Sequence, residues 1–251
     1  MSKIKIIIVS LSVLMAISTN ANAATDLLQT DDFVGFSFWL VSLACLAATF
    51  FFFLERGSVA PGWTVSITVA GIVTGIAFVH SIYMRNIWVV SSDAPIIFRY
   101  LDWFITLPLL AIQFYLVPSA VKRVSPILFW KFLAASLVMV CGSYAGEAGY
   151  IDSFLGLVIW MVGWIFILYE IFTGEAGKLV SKSTNEDMVA AFGMMRIIVT
   201  VGWTIYPLGY VFGYLTGGLD PDTLNVIYNL GDLVNKIAFG LVIWVAARSQ
   251  Y

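Results

Sequence analysis

One lysine, Lys236, lies in the middle of an apolar C-terminal segment that runs from about residue 221 to residue 245. Asp232 precedes it by four residues, so a helix would place the carboxylate and the ammonium on one face. A charged lysine at bilayer depth is costly, so it must face the protein interior, pair with an acid or react covalently. This pattern indicates a buried amine that can form a Schiff base with an aldehyde. A purely structural ion pair within the membrane is the alternative.

A second apolar segment carries Arg99, Asp102 and Thr106 at spacings of three and four residues. A helix would align this cation, acid and hydroxyl in one inward-facing stripe. Asp102 is predicted to lie outward of the membrane centre, and Lys236 near that centre or just past it. Asp102 and Asp232 together would balance Arg99 and a protonated imine at Lys236, as a buried charge cluster requires.

Further polar residues lie at or near membrane depth. Gln113 follows Asp102 by eleven residues on nearly the same stripe, about 16 Å closer to the cytoplasm. Its amide does not titrate, although a proton path is expected to carry titratable groups on both sides of its switch. His80, the only histidine, is as suited to bonding a backbone carbonyl as to titration. Glu147 is predicted to be a solvated loop acid, with a role in proton exit as the alternative.

Aromatic residues at helical spacing form a candidate slot for a flat ligand. In the sixth apolar segment the spacing places three rings on one face of a helix that a proline kinks. With two tryptophans from other segments, these rings would sandwich a long conjugated molecule. Core packing or a place in an interfacial aromatic belt is the alternative for each residue alone. The set comprises Trp103, Trp164, Trp203, Tyr206, Pro207 and Tyr210.

The composition places the chain in a membrane, because 61% of its residues are hydrophobic and only 11% are charged. A soluble domain of 251 residues would need more charge to cover its surface. The net charge of -2 argues against electrostatic binding of nucleic acid. Cys45 and Cys141 are isolated and show no metal-ligand spacing, so no metal site is predicted.

Residues 1–23 combine a basic start, an apolar run and small residues at a cleavage site, which is typical of a cleavable signal peptide. An uncleaved anchor helix is the alternative. Residues 24–251 are predicted to form one all-α membrane domain, a bundle of seven transmembrane helices, because each apolar run is about long enough to cross a bilayer. The predicted spans are residues 33–54, 63–84, 95–117, 127–144, 151–172, 188–215 and 221–245.

Basic residues predict the orientation of this bundle. With the mature N-terminus outside, the outer loops contain only Arg85, and the other basic loop residues face the cytoplasm. This asymmetry obeys the positive-inside rule and places the C-terminus in the cytoplasm. The cytoplasmic set comprises Arg56, Lys122, Arg123, Lys178, Lys182 and Arg248.

Three stretches carry a family resemblance: Arg99-Tyr100-Leu101-Asp102-Trp103, Trp203-Thr204-Ile205-Tyr206-Pro207 and Asn229-Leu230-Gly231-Asp232-Leu233-Val234-Asn235-Lys236. With them the chain resembles the microbial rhodopsins, and more narrowly the proteorhodopsins of marine bacteria. The resemblance covers essentially the whole chain, and its last stretch is highly specific. It implies a seven-helix bundle in the bacterial inner membrane with an internal pocket for all-trans-retinal. It also implies a homo-oligomer, a pentamer or hexamer, surrounded by lipid.

The resemblance assigns roles to the charged residues. Lys236 matches the lysine that forms the retinal Schiff base. Asp102 matches the primary counter-ion and proton acceptor, and Asp232 matches the second counter-ion. Arg99 matches the arginine beneath them.

The same resemblance bears on three further positions. His80 matches a histidine that hydrogen-bonds the acceptor, and Leu110 occupies a colour-tuning site where leucine accompanies green absorption. Gln113, however, stands where typical proton pumps carry a glutamate that returns a proton to the Schiff base. Sodium-pumping relatives share this glutamine but carry asparagine and aspartate in place of Asp102 and Thr106. Chloride-pumping relatives lack the acceptor acid.

We therefore expect a light-driven outward proton pump, not an enzyme, whose cycle is slow because position 113 carries no acid. The alternative is a slow-cycling photosensor that signals through a separate partner, since a photoreceptor needs a long-lived lit state. A seven-helix transporter without a chromophore would leave the pair of Asp232 and Lys236 and the aromatic slot unexplained.

Overall fold

The computed structural model describes residues 31–93 and 95–251. Residues Val34–Tyr251 form one compact unit. The predicted signal peptide, residues 1–23, lies outside the described residues.

Seven helices in the described residues are long and apolar enough to cross a membrane, and no strand accompanies them. The prediction of a seven-helix bundle is thereby confirmed. Most helices extend a few residues beyond the predicted spans. They are α1 (Phe33–Glu55), α2 (Pro61–Ser91), α3 (Ile96–Ser119), α4 (Pro126–Glu147), α5 (Ser153–Ser181), α6 (Glu186–Leu215) and α7 (Pro221–Ser249).

Local sequence signals fix where several helices begin. Proline opens α2, α4 and α7, where its missing N–H leaves no hydrogen bond unmade. Side chains just before α5, α6 and α7 accept hydrogen bonds from the first exposed backbone amides: Asp152, Asn185 and Asp220. Hydrogen bonds from Thr223 hold the pKa of Asp220 below its usual range.

The largest difference from the predicted spans lies in α5, which continues as a short helical stretch, Glu175–Ser181, after a break at Gly174. The buried carboxylate of Glu170 explains this continuation, because its Oε2 accepts a hydrogen bond from the Glu175 amide at 2.9 Å. Its Oε1 accepts another from Lys131 Nζ on α4 at 2.8 Å. The acid therefore caps the second stretch and ties it to α4.

Two helices depart from α-helical winding near the centre of the bundle. In α6 a tighter turn, Gly202–Thr204, precedes Pro207, and in α7 the stretch Leu233–Ala238 is wound as a π-helix. Asn235 Nδ2 donates a hydrogen bond to the Gly202 backbone oxygen at 3.0 Å and so joins the two irregular turns. Such irregular turns are often found at functional sites.

The close packing of α4 against α5 depends on small residues. A Cβ atom on Gly156 would lie 2.8 Å from the Cα of Gly146, so any larger residue would force the helices apart. Elsewhere the bundle presents large apolar side chains outward, including Leu101, Val201 and Val245. A lipid environment explains this exposure, which would be unfavourable in water.

Candidate functional site

Lys236 lies in the π-helical turn of α7 and is only 3% exposed. Its Nζ donates a close hydrogen bond to Asp102 Oδ2 on α3 and lies 3.3 Å from Asp232 Oδ2. Both carboxylates are buried. The structure thus brings together the amine and the two acids that the sequence singled out, although they come from different helices.

Arg99 completes a buried cluster of two cations and two anions. Its Nη1 lies 3.9 Å from Asp232 Oδ2. Its Nη2 donates hydrogen bonds to the side-chain oxygens of Asn225 and Asn229, each at 2.8 Å, and to the Asn225 backbone oxygen at 3.1 Å. Asn229 Nδ2 in turn donates to Ser37 Oγ on α1 at 2.7 Å. Arg99 is therefore held mainly by neutral oxygens of α7.

Sequence reasoning missed these two asparagines as site residues. The signal was present, because Asn225, Asn229, Asp232 and Lys236 follow one another at spacings of four, three and four. Those spacings place one polar stripe along α7. The two asparagines are neutral, so charge at bilayer depth does not mark them as site residues.

Tyr206 on α6 connects the cluster to the irregular turns. Its hydroxyl donates a hydrogen bond to Asp232 Oδ1 at 2.7 Å, and Asn235 Nδ2 lies 3.3 Å from the same hydroxyl oxygen. Asp232 consequently contacts Lys236 and Tyr206 and lies near Arg99. The Oδ1 atom of Asp102, by contrast, is buried without a hydrogen-bond partner in the described part of the chain.

A narrow cavity lies beside the Lys236 amine, between α3, α4, α5, α6 and α7. Aromatic and aliphatic side chains form most of its wall, and the charged groups lie together at Lys236. Such a cavity suits a flat, apolar molecule with one reactive end. The lining residues are Trp103, Thr106, Leu107, Leu110, Val140, Ser143, Trp160, Trp203, Tyr206, Asp232 and Lys236.

The tryptophan of α5 that lines this cavity is Trp160, and not Trp164 as the sequence predicted. The Trp164 indole instead donates a hydrogen bond to the Val199 backbone oxygen on α6 at 3.1 Å. The two indole rings lie 5.2 Å apart, so Trp164 packs behind Trp160. Because α5 is apolar around most of its circumference, spacing alone could not identify which face points inward.

Pro207 and Tyr210 line a second, smaller cavity that adjoins the first. The Tyr210 hydroxyl donates a hydrogen bond to the Ser153 backbone oxygen at 2.9 Å, which turns the ring toward the start of α5. Thr106 and Leu110 line the first cavity, and the Thr106 hydroxyl donates to the Asp102 backbone oxygen at 3.1 Å. The predicted slot is therefore divided between two neighbouring spaces.

His80 and Asp102 line the same crevice between α2 and α3. The hydrogen bond that the resemblance implied between them does not occur in the described residues. His80 Nε2 and Asp102 Oδ1 are both buried without a partner there. The two side chains thus share a space without being bonded to each other.

Gln113 lies fully buried on α3, toward the end of the bundle where α3 ends. Its Nε2 donates a hydrogen bond to the Ser66 backbone oxygen on α2 at 2.9 Å. The Gln113 Oε1 and Ser66 Oγ atoms are buried and have no partner in the described part of the chain.

Comparison with known proteins identifies the family. The bacteriorhodopsin-like protein family matches residues 32–250. The chain belongs to this family. It is 46% identical over 238 residues, 94% of each chain, to a blue-light absorbing proteorhodopsin of Gamma-proteobacterium Hot 75m4. It is 45% identical over 237 residues, again 94% of each chain, to a green-light absorbing proteorhodopsin of Gamma-proteobacterium EBAC31A08.

Solved rhodopsin structures share the fold. The blue light-absorbing proteorhodopsin from Med12 superposes with a TM-score of 0.76 at 47% identity, covering 88% of this chain and 100% of that one. Exiguobacterium sibiricum rhodopsin gives a TM-score of 0.77 at 31% identity, covering 86% of this chain and 96% of that one. The chain is accordingly a multi-pass membrane protein of the bacteriorhodopsin-like type.

Bacteriorhodopsin-like proteins bind retinal, and the residues present here fit that cofactor. Lys236 is the only lysine that lines the cavity in the described residues, and its amine is buried beside two carboxylates. The remaining wall is largely aromatic and aliphatic, as a conjugated polyene requires.

Proposed function

We propose that this chain is a light-driven pump that moves protons outward and uses all-trans-retinal bound at Lys236. One observation carries the proposal: the buried Lys236 amine contacts Asp102 and Asp232 beside an aromatic-lined cavity. A buried amine is suited to covalent attachment of an aldehyde, and an adjacent carboxylate is suited to accept its proton. The relatives named as proteorhodopsins support the same assignment.

When bound, retinal supplies a protonated imine nitrogen at Lys236 and a light-driven isomerisation that alters the surroundings of that nitrogen. Trp103, Trp203 and Tyr206 would flank the cofactor and restrict its orientation, because their rings form the cavity wall. Leu110 lies in the same wall, at the site where leucine accompanies green absorption in the family.

Asp102 is the acceptor in this proposal because the two acids are held differently. Asp232 accepts a hydrogen bond from Tyr206 and lies near Arg99, so its negative charge has two partners besides Lys236. Asp102 has the Lys236 contact on one oxygen and no partner on the other within the described residues. A carboxylate with fewer donors loses less when it is protonated. The Lys236 proton therefore moves to Asp102.

The direction of proton transport follows from the groups that lie on either side of Lys236. Toward the end of the bundle where α3 begins, the amine contacts Asp102, and Arg99 lies beyond it beside the Tyr228 ring. Toward the other end, Gln113 offers only an amide. The proton consequently leaves toward the first side and must be replaced from the second.

The return step is slow in this proposal. An amide cannot release a proton near neutral pH, so Gln113 cannot serve as an internal donor. The proton for the Lys236 nitrogen must cross from bulk solvent past the buried Gln113 and Ser66. This distinguishes the chain from family members that carry an acid at that position.

We assign the end with the start of α3 to the outside and the C-terminus to the cytoplasm of a bacterial inner membrane. Basic loop residues support this orientation: Arg56 follows α1, Lys122 and Arg123 follow α3, and Arg248 lies at the end of α7. By the positive-inside rule these loops remain in the cytoplasm.

Illumination of bacteria that express the chain with retinal tests the proposal. We expect the medium to acidify in the light and the effect to disappear with a protonophore. The same cells without retinal are the control. Acidification that persists without retinal, or alkalinisation in the light, would contradict the proposal. A long-lived lit state without any net acidification would favour a photosensor instead.

A further inference from the structure

Asn235 precedes Lys236 by one residue in the π-helical turn of α7 and is buried. A buried amide needs hydrogen-bond partners, because leaving its donors unpaired away from water is costly. Its Nδ2 atom donates to the Gly202 backbone oxygen at 3.0 Å and to the Tyr206 hydroxyl oxygen at 3.3 Å, both on α6. The two N–H groups of the amide are thus both used on one neighbouring helix.

The Tyr206 hydroxyl links this amide to a carboxylate. A phenol has one hydrogen to donate and an oxygen that can accept. Here the oxygen receives an N–H group of Asn235, and the hydrogen is donated to Asp232 Oδ1 at 2.7 Å. A hydroxyl that accepts one hydrogen bond donates a stronger one, because the two bonds polarise each other. Asn235 therefore strengthens, through Tyr206, the hydrogen bond that Asp232 accepts.

Asp102 and Asp232 both adjoin the Lys236 amine, and hydrogen bonding distinguishes them. Asp102 Oδ2 contacts the amine, and Asp102 Oδ1 is buried without a hydrogen-bond partner in the part of the chain that the structure describes. Asp232 Oδ2 lies 3.3 Å from the same amine, so two carboxylates are placed to take one proton. A donor to one carboxylate favours its charged form and leaves the proton to the other. The strength of the Tyr206 bond therefore bears on which acid is protonated.

Gly202 makes room for the amide of Asn235. A Cβ atom at position 202 would overlap Asn235 Oδ1, and the three atoms nearest to it all belong to that amide group. Oδ1 has no hydrogen-bond partner among the described residues that would resist a movement. Because the amide ends a flexible side chain, a methyl group at position 202 would displace the amide rather than either helix. A change at either residue therefore removes the same interaction.

We propose that Asn235 is the positioning residue that keeps Asp232 charged when the Lys236 nitrogen loses its proton. This inference rests on the proposed pump. In the transfer step the N–H bond at Lys236 breaks and an O–H bond forms on Asp102, while Asp232 remains a carboxylate. Asn235 acts through Tyr206 and takes no part in the transfer itself. Without the amide, the hydroxyl donates a weaker bond, and Asp232 competes for the proton.

Infrared difference spectra of the retinal-loaded protein, recorded while the Lys236 nitrogen is unprotonated, identify the acid that received the proton. We expect the parent to show one protonated carboxyl band, which shifts in Asp102→Glu. Asn235→Ala should lower the preference for Asp102 over Asp232 about tenfold, the effect of about one hydrogen bond, so that a second carboxyl band appears.

Gly202→Ala tests the same interaction from the other helix. It should show the second band too, and the double variant with Asn235→Ala should differ little from either single variant, because both changes remove one amide contact. Thr204→Ala is the matched control, since its hydroxyl lies in the same turn of α6 but donates to the Thr200 backbone oxygen at 2.6 Å. This control should keep the single parental band.

A second readout separates this role from a general loss of structure. In Asp102→Asn the proposed acceptor is removed and Asp232 is held as a carboxylate, so little unprotonated Lys236 nitrogen should form after a flash. Adding Asn235→Ala should raise the yield of this unprotonated form about tenfold, measured by its near-ultraviolet absorption. A gain of this kind cannot come from a protein that has failed to fold.

Three results would overturn the inference. The first is a single parental band in Asn235→Ala, or in Gly202→Ala where the first variant does not fold. The second is an unchanged yield when Asn235→Ala is added to Asp102→Asn. The third is a second band in Thr204→Ala, because any disturbance of this turn would then suffice. A parent that acidifies the medium under these results leaves the pump itself standing, whereas a parent that does not acidify it overturns both proposals.

Discussion

Arg99 on α3 is bonded to the Asn229 side-chain oxygen on α7 at 2.8 Å, whereas the nearest carboxylate oxygen among the described residues, Asp232 Oδ2, lies 3.9 Å away. Amide oxygens thus fix the position of the guanidinium, whereas the carboxylate of Asp232 attracts its charge from a greater distance. Asn229 is itself fixed through Ser37 on α1. Three helices therefore determine where this buried cation lies.

Replacing Asn229 by leucine should destabilise the retinal-loaded protein. The variant removes one acceptor from a buried guanidinium, and a hydrogen bond to a charged group contributes about 1.5–3 kcal/mol. We expect faster thermal bleaching in the dark and a changed spectral response to pH, since Arg99 can then move. Ser37→Ala, which removes only the second link, should show a smaller effect in the same measurements. Equal bleaching rates in parent and Asn229→Leu would contradict this role for the asparagine.

Substituting Lys236 by alanine should abolish visible colour while the protein still inserts in the membrane. Lys236 is the only lysine that lines the cavity in the described residues, so no other cavity amine can bind the cofactor covalently. Absorption spectra of purified protein expressed with retinal provide the measurement, with an affinity tag to confirm the amount of protein. A visible band that survives in this variant would refute covalent attachment at Lys236.

Raising the pH should shift the absorption maximum of the parent to the blue. Deprotonated Asp102 places a negative charge directly beside the Lys236 nitrogen and stabilises the positive ground state. Asp102→Asn should remove this transition and absorb further to the red than the parent at alkaline pH. Absorption spectra of both proteins, recorded from acid to alkaline pH, measure this shift. If Asp102→Asn titrates as the parent does, another group is the counter-ion.

The tryptophans of α5 provide a test of the revised cavity wall. Trp160→Phe should open the cavity and speed bleaching by hydroxylamine about tenfold, which corresponds to about 1.4 kcal/mol. Trp164→Phe is the matched control, because its ring packs behind Trp160 and bonds Val199 on α6. It should bleach closer to the parental rate. If Trp164→Phe bleaches faster than Trp160→Phe, Trp164 forms the cavity wall, as the sequence predicted.

The bundle and its charged centre could be predicted from sequence for a simple reason. Charge is rare at bilayer depth, so Lys236, Asp232, Asp102 and Arg99 stand out, and helical spacing shows which of them share a face. The same argument indicates little about neutral residues. Asn229 was overlooked because an amide is not conspicuous within an apolar segment.

Residue spacing could not predict which face of an apolar helix points inward, or which side chains at the end of a helix are buried. Trp160 and Trp164 lie one turn apart on a helix that is apolar on most sides, so the sequence offered no reason to prefer the first. Glu147 appeared to lie in a loop because glycines flank that stretch of chain. Only the approach of Tyr100 from α3 and of tyrosines from α6 and α7 shows that its carboxyl is covered.

The last prediction concerns Gln113, at the position that the family resemblance assigns to a proton donor. Because an amide cannot release a proton near neutral pH, the lit state with an unprotonated Lys236 nitrogen should persist and decay more slowly as pH rises. Gln113→Glu should speed this decay and flatten its pH dependence. The dark spectrum should change little, since the site lies about three helical turns from Asp102.

Flash photolysis of the parent and Gln113→Glu across a pH series decides whether the inner half of the path lacks a donor. Azide, a small weak acid, should accelerate the parent more than the variant, because it carries protons to a site that no internal acid supplies. Ser66→Ala is the matched control: it changes a neighbour of Gln113 without adding a titratable group, so its decay should remain slow and pH-dependent. If the parent already decays quickly at alkaline pH and Gln113→Glu changes nothing, another residue returns the proton. The buried amide would then be a packing feature of α3 rather than the cause of a slow cycle.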